Sequence, residues 1–316
     1  MQKTSKKILF FGNERLATGV SSTAPTLRAL ILAGYEVTAL ISNYTPAHSR
    51  KNREPEIHGV ARQHSIPILS PKKMSDIYDE IRKMDVDIGV LVAFGKIVPK
   101  SIIELFPSGI INLHPSLLPK HRGSTPIESA ILQGEDATGV SIMQLVSKMD
   151  AGPVYAQQAI KLSGTETKQY LADKLLQLGS EMIITVLPAI LNAKLEPKQQ
   201  SETAATYDRP IQKDDGTIDW RNDAKLIERQ LRSYHSWPQS KTTLNKIEVI
   251  ITSGHIIDKL PKGAQPGDIF INVETPLITV ATSDGLIAID TVKPLGKKDM
   301  SVNSFIAGYK EKIGSL

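Results

Sequence analysis

The sequence contains no cysteine. Disulfides, thiolate metal sites and cysteine nucleophiles are therefore excluded together, and a reducing compartment is suited. No apolar run approaches the roughly 18 residues of a membrane-spanning helix, so no membrane partner is expected. Lys3, Lys6 and Lys7 precede an apolar stretch at 8–11, but Asn13, Glu14 and Arg15 end it. It is too short for a secretory core and reads as a first strand of a cytoplasmic protein. There is no HExxH, and Gly12 and Gly19 do not build G-x-G-x-x-G. A zinc hydrolase and a dinucleotide-dependent dehydrogenase both lose ground on that account, and no metal is expected. No serine occupies a nucleophile elbow, so a covalent acyl-enzyme is not indicated.

What is present is a chain of 316 residues, enough for about two domains. Its net charge of +5 tolerates a polyanionic partner without demonstrating one. Beyond residue 206 cations and acids nearly balance. Contact with nucleic acid there must rest on local patches.

Apolar runs at 7–11, 36–41, 88–92 and 110–113 read as buried strands, with helical spacing at 26–33, 55–64 and 74–84 between them. That alternation predicts βαβ units and an α/β, Rossmann-like, mostly parallel sheet. Strands are expected at 138–145 and 154–160, then a long amphipathic helix over 167–191 with Leu171, Leu175, Leu178, Ile183 and Leu187 on one stripe. Residues 192–206 are polar and suit a linker. A short helix at 223–233 follows, and from 247 onward only short β-like runs: 248–252, 268–272, 277–281 and 286–292. These predict a small β-barrel, OB-like in size. The expected division is 1–191, a linker at 192–206, and 207–316.

The chemistry-bearing stretch is 111–123. Asn112 and His114 lie two apart on a strand that runs into a proline-punctuated loop, so their side chains share a face. An amide donor and an imidazole aimed at one place suit an oxyanion formed when an amine attacks a carbonyl. Taken singly, each has a bland reading: an asparagine at a strand end closes a turn, and a histidine is usually structural. Asp150-Ala151-Gly152 is by itself an ordinary turn. Leu117 and Leu118 read equally as core.

Together, Asn112-Leu113-His114-Pro115-Ser116-Leu117-Leu118-Pro119, Arg122-Gly123 and Met149-Asp150-Ala151-Gly152 resemble the signature of the folate-dependent formyltransferases. Residues 90–99 are similar to the strand and loop lining that family's folate pocket. The resemblance implies catalytic roles for Asn112, His114 and Asp150. It implies folate contacts at Phe94, Gly95, Ile97, Ser116, Leu117, Leu118 and Pro119, and 10-formyltetrahydrofolate as co-substrate. The acceptor must come from the second domain. Ile218-Asp219-Trp220 and Ser236-Trp237-Pro238 resemble both the methionyl-tRNA branch and the sugar-nucleotide branch. Gly296-Lys297-Lys298-Asp299-Met300-Ser301 resembles the methionyl-tRNA branch, which implies initiator methionyl-tRNA as partner. An amino-sugar nucleotide is the alternative acceptor, and a non-catalytic RNA-binding protein the rival from another class.

Two departures stand out. The family's Gly-Thr-Pro after the first strand reads Gly12-Asn13-Glu14-Arg15 here, and its glycine-rich basic loop reads 45–53 without glycine. Its charges remain, so Arg50, Lys51 and Arg53 are expected at the tRNA acceptor end, with Arg232, Lys297 and Lys298 on the tRNA backbone. No pairing element is evident, and a monomer is expected.

Overall fold

The structure is a computed structural model that describes residues 6–44 and 54–313. Its packing divides the chain into two compact units. One comprises Met1–Ile127, Ala137–Leu162 and Gln169–Pro210; the other comprises Glu128–Asp136, Ser163–Lys168 and Ile211–Leu316.

The first unit is built on strands β1 (Lys7–Gly12), β2 (Glu36–Ile41), β3 (Ile68–Leu69), β4 (Ile88–Val92), β5 (Ile110–His114), β7 (Ala137–Gln144) and β8 (Val154–Lys161), in the order β3-β2-β1-β4-β5-β7-β8. A two-residue strand β6 (Arg122–Gly123) lies apart and pairs in parallel with β9 (Tyr207–Asp208). The first five strands of the large sheet run parallel; β7 and β8 are antiparallel. Helices α1 (Pro25–Leu32), α2 (Glu56–Gln63), α3 (Tyr78–Met84), α4 (Lys100–Ile103), α5 (Pro126–Gln133) and α6 (Lys168–Leu191) follow the strands, most of α5 belonging to the second unit. The unbroken burial of β4 and β5 explains why these segments read as continuous apolar runs rather than alternating ones.

On helix α6, four residues of the expected stripe are buried, Leu171, Leu175, Ile183 and Leu187, while Leu178 is half-buried. By length and composition it could cross a membrane, although no continuous apolar run signals this. Yet its stripe is core. Gly179 lets it press on the sheet, since a Cβ there would stand 2.4 Å from Leu113 Cδ1.

In the second unit α7 (Ala224–Ser233) is capped by Asp223, which accepts from Leu226 N. Strands β10 (Ser240–Leu244), β11 (Ile247–Ile257), β12 (Ile269–Asn272), β13 (Leu277–Ala281), β14 (Leu286–Pro294) and β15 (Met300–Ser301) form an antiparallel sheet ordered β10-β11-β14-β13-β12, with β15 on β14. The last element is α8 (Val302–Ile313), where the sequence suggested only β-like runs. The signal was there: Val302, Phe305 and Ile306 recur at helical spacing and are buried against the sheet's core residues.

The loop after β1 begins with a buried carboxylate. Glu14 accepts from Thr26 N and Leu27 N, both at 2.8 Å, in the first turn of α1. In a dinucleotide-binding sheet this helix N-terminus holds phosphate; here the chain's own anion fills it. Burial pushes the Glu14 pKa up to about 7, against the lowering effect of those two N–H bonds. Unfolded, the group titrates near 4.5. Between those values the folded state holds the extra proton, so this group's contribution falls as pH rises through the window and is level above it. The loss amounts to about 3 kcal/mol. Denaturant midpoints between pH 5 and pH 8 should therefore drop for the wild type and drop less for Glu14→Gln. Parallel curves for the two proteins would contradict this.

Candidate active site

The strand order reverses between β1 and β4, and the loops leaving the carboxyl ends of β4 and β5 emerge side by side there, where open α/β sheets bind ligands. After β4, Ala93 and Gly95 take left-handed backbone (φ 52° and 70°). The Phe94 ring turns into the core, edge-on to Phe11 at 5.7 Å, and its carbonyl accepts from Asn43 Nδ2 at 2.6 Å. Phe94 thus offers a ligand only backbone, whereas Gly95 is exposed and Ile97 stands 83% exposed.

After β5, the Ser116 hydroxyl donates to Lys120 O at 2.7 Å and Ser141 Oγ donates to Ser116 O at 2.6 Å. Leu118 N donates to Ser141 Oγ at 3.1 Å, and Gln157 Nε2 to Leu118 O at 2.7 Å. These bonds fix the loop from beneath. Ser116 and Leu118 are buried, while Leu117 and Pro119 are half-buried.

Asn112 and His114 project from the same face of β5. The Asn112 side chain is 7% exposed and its amide has no hydrogen-bond partner among the described residues. The amide keeps access to solvent, so a ligand that enters the site can bond to it directly. His114 donates from Nε2 to the carbonyl of His121 at 2.8 Å. Its Nδ1 therefore faces the site, 3.8 Å from Asp150 Oδ2. That is too long for a direct hydrogen bond, but one amine placed across the gap reaches both atoms.

Asp150 arrives by an indirect route. Strand β7 is antiparallel to β5 and ends opposite Ile111, so the connection to β8 starts at the far edge and folds back. Gly152 permits this, because a Cβ would lie 1.8 Å from Gln144 O. Gln200 Nε2 donates to Asp150 O and Gly152 O at 2.8 and 2.7 Å, and Gly123 N donates to Asp150 Oδ2 at 2.8 Å.

The sequence did not point to the polar brace behind these groups. Fully buried Arg122 donates through Nε and Nη2 to Gln200 Oε1, through Nη2 to Glu202 and through Nη1 to Tyr207 Oη. The Arg122 hydrogen bond, followed by that from Lys148, pulls the Glu202 carboxyl down to about 2. His121 donates from Nδ1 to the Asp208 carboxylate at 3.0 and 3.2 Å, and from its backbone N to Thr206 Oγ1 at 2.8 Å. The partners lie up to 87 residues away: Gln200, Glu202 and Thr206 in the polar 192–206 stretch that suits a linker, and Tyr207 and Asp208 just past it. Only a buried His-Arg pair beside the signature could have hinted at them.

Of the residues expected at tRNA, Arg50, Lys51 and Arg53 lie outside the described residues. Arg232 is tied to Glu228 and donates to Glu166 O at 2.8 Å. Lys297 and Lys298 are exposed, with no side-chain partner among the described residues. Among the described residues no group of three or more His, Asp or Glu is placed to hold a metal ion.

Gly123 joins β6 to Asp150 at φ 115°, with Asp208 O 2.5 Å from the position of a Cβ. Gly123→Ala is expected to destabilise the first unit by about 2 kcal/mol or more, read as a lowered Tm. An unchanged Tm would show that this approach of the two backbones yields freely.

The formyl transferase family model matches residues 14–187, and the formyl transferase C-terminal domain model matches 210–310. A methionyl-tRNA formyltransferase of Staphylococcus epidermidis is 34% identical over 311 residues, 97% of each chain. One of Thermodesulfovibrio yellowstonii is 35% identical over 314 residues, 98% of each. Among solved structures, an N-formyltransferase from Helicobacter canadensis in complex with folinic acid and dTDP-3-aminofucose shares the fold at TM-score 0.66 and 16% identity, covering 91% of this chain and 98% of that one. HypX from Aquifex aeolicus in complex with tetrahydrofolic acid does so at TM-score 0.65 and 15% identity, covering 96% of this chain and 47% of that one. The residues that fill the carboxyl edge of the sheet and the two family models, which between them span both units, agree: the chain belongs to the formyl transferase family.

Proposed function

We propose that the protein transfers the formyl group of 10-formyltetrahydrofolate to the amino group of the methionine carried on initiator tRNA, as a cytoplasmic monomer serving translation initiation. The observation that carries the chemistry is the unbonded Asn112 amide sharing one face of β5 with His114, whose Nδ1 lies 3.8 Å from Asp150 Oδ2. What supports the acceptor is likeness over both units to relatives named for methionyl-tRNA. The amino-sugar-nucleotide alternative takes second place on the same ground.

The site suits a folate. Leu117 and Ile97 offer apolar surface, and the 93–99 and 115–119 loops offer backbone polar groups, the combination a flat heterocycle with one polar edge requires. Bound there, the folate supplies the formyl carbon. Asn112 donates to the formyl oxygen as charge builds on it, and because its position is fixed by the ladder it need not reorganise. With Nε2–H committed to the His121 carbonyl, His114 presents an unprotonated Nδ1, which accepts from the amine and holds its lone pair toward the carbon. Asp150, an acceptor held by Gly123 N, takes the proton that the amine sheds as its lone pair closes on the carbon, and that proton passes to the folate's N10 as the formyl C–N10 bond breaks.

The test offers 10-formyltetrahydrofolate with charged initiator tRNA, an amino-sugar nucleotide or glycinamide ribotide as acceptor. Formylation of the tRNA is expected; transfer to the sugar alone would replace this reading with the alternative. Asn112→Ala and His114→Ala should each lower kcat about 100- to 1000-fold and leave tRNA affinity nearly intact. Activity within about threefold of wild type in both would remove the assignment.

Lys297 and Lys298, exposed on the second unit, fit contacts to tRNA phosphate. Replacing both by alanine should raise KM for charged tRNA and leave kcat at saturation. The slope of log affinity against log salt should flatten by about one unit for each phosphate no longer neutralised. Neither change would be seen if the two lysines are merely solvated.

A further inference from the structure

His114 can donate to a carbonyl only from a protonated nitrogen, so the 2.8 Å contact to His121 O makes Nε2 the proton-bearing atom and leaves Nδ1 for the site. That carbonyl belongs to a residue in left-handed backbone (φ 57°), a conformation that costs a non-glycine residue about 1–2 kcal/mol. Something must hold it there. Three bonds do: His121 N to Thr206 Oγ1 at 2.8 Å, Arg122 N to Thr206 O at 2.9 Å, and the His121 ring to the Asp208 carboxylate at 3.0 and 3.2 Å. The side chains of His121 and Asp208 are 5% and 8% exposed. Both are screened from water.

We infer that His121 and Asp208 form a positioning pair for the transfer reaction: Asp208 anchors the His121 ring, the anchored residue aims its carbonyl at His114, and the carbonyl fixes the His114 tautomer. The inference rests on the role proposed above for His114. Were His121 free to leave its left-handed well, its carbonyl would swing away and either nitrogen of His114 could carry the proton. Only one of those tautomers presents Nδ1 to the amine as an acceptor.

The whole protein, labelled with nitrogen-15 at histidine, reports the tautomer directly by NMR. Wild type should show His114 as the Nε2–H form. Asp208→Ala should show a tautomer mixture and a kcat lowered about 10- to 100-fold, with KM for both substrates within about threefold. Asp208→Asn should recover most of the activity, because its Oδ1 still accepts from Nδ1–H. If Asp208→Ala fails to fold, His121→Asn serves instead, since asparagine tolerates left-handed backbone yet is too short to reach Asp208. A folded variant that keeps the Nε2–H tautomer and a kcat within about twofold of wild type, even with a lowered Tm, overturns the pairing. If His114→Ala is also near wild type, the role of His114 falls instead.

Discussion

Everything at the site depends on how β5 is paired. It runs parallel to β4 on one side and antiparallel to β7 on the other. The parallel ladder sends the β4 and β5 loops out at the same edge. The antiparallel one sends the chain to the opposite edge, so the acid on the following connection must travel back. Asn112 is paired on both sides, with Leu91 and Met143, and His114 with Ser141 of β7. Asp150 is not in a ladder. Its place is set by a glycine that tolerates contact with Gln144 O and by one glutamine amide that bonds two carbonyls of the returning chain.

The brace follows from that dependence. Gln200 uses both ends of its amide: the nitrogen secures the Asp150 turn and the oxygen accepts from Arg122. A guanidinium suits this role because its fork serves several acceptors in one plane without losing its charge. Burial of that charge is tolerable because Glu202, Tyr207 and Gln200 satisfy it. Around the site Ala93, His121 and Asp150 all occupy left-handed backbone, and such strain persists only where surrounding bonds over-determine it.

Much of the fold was legible in the sequence because apolar runs map directly to strands buried on both faces. The segments at 36–41, 88–92 and 277–281 appear at those bounds. β3 and β10 were not legible: one has two residues and the other, Ser240–Leu244, is mostly polar. The final helix was readable from its spacing but lay behind a run of strands. At the site, a spacing of two was enough to place Asn112 and His114 together. The motif puts Phe94 in a folate wall, whereas its ring serves the core; a motif fixes where a loop lies more firmly than which way each side chain turns. His121 with Asp208, and Gln200 with Asp150, join positions 87 and 50 residues apart. No local pattern encodes such pairs.

The same separation orders events during synthesis. The sheet that carries Asn112 and His114 can be complete once α6 has emerged, since all its strands precede that helix. The brace cannot, because Gln200, Glu202, Thr206 and Asp208 follow it. As a nascent chain lengthens from its N-terminus, there is thus an interval in which the sheet is closed but His121 and the Asp150 turn lack their anchors. The reactive constellation is the last part of the first unit to be assembled, completed by residues that lie at the threshold of the second.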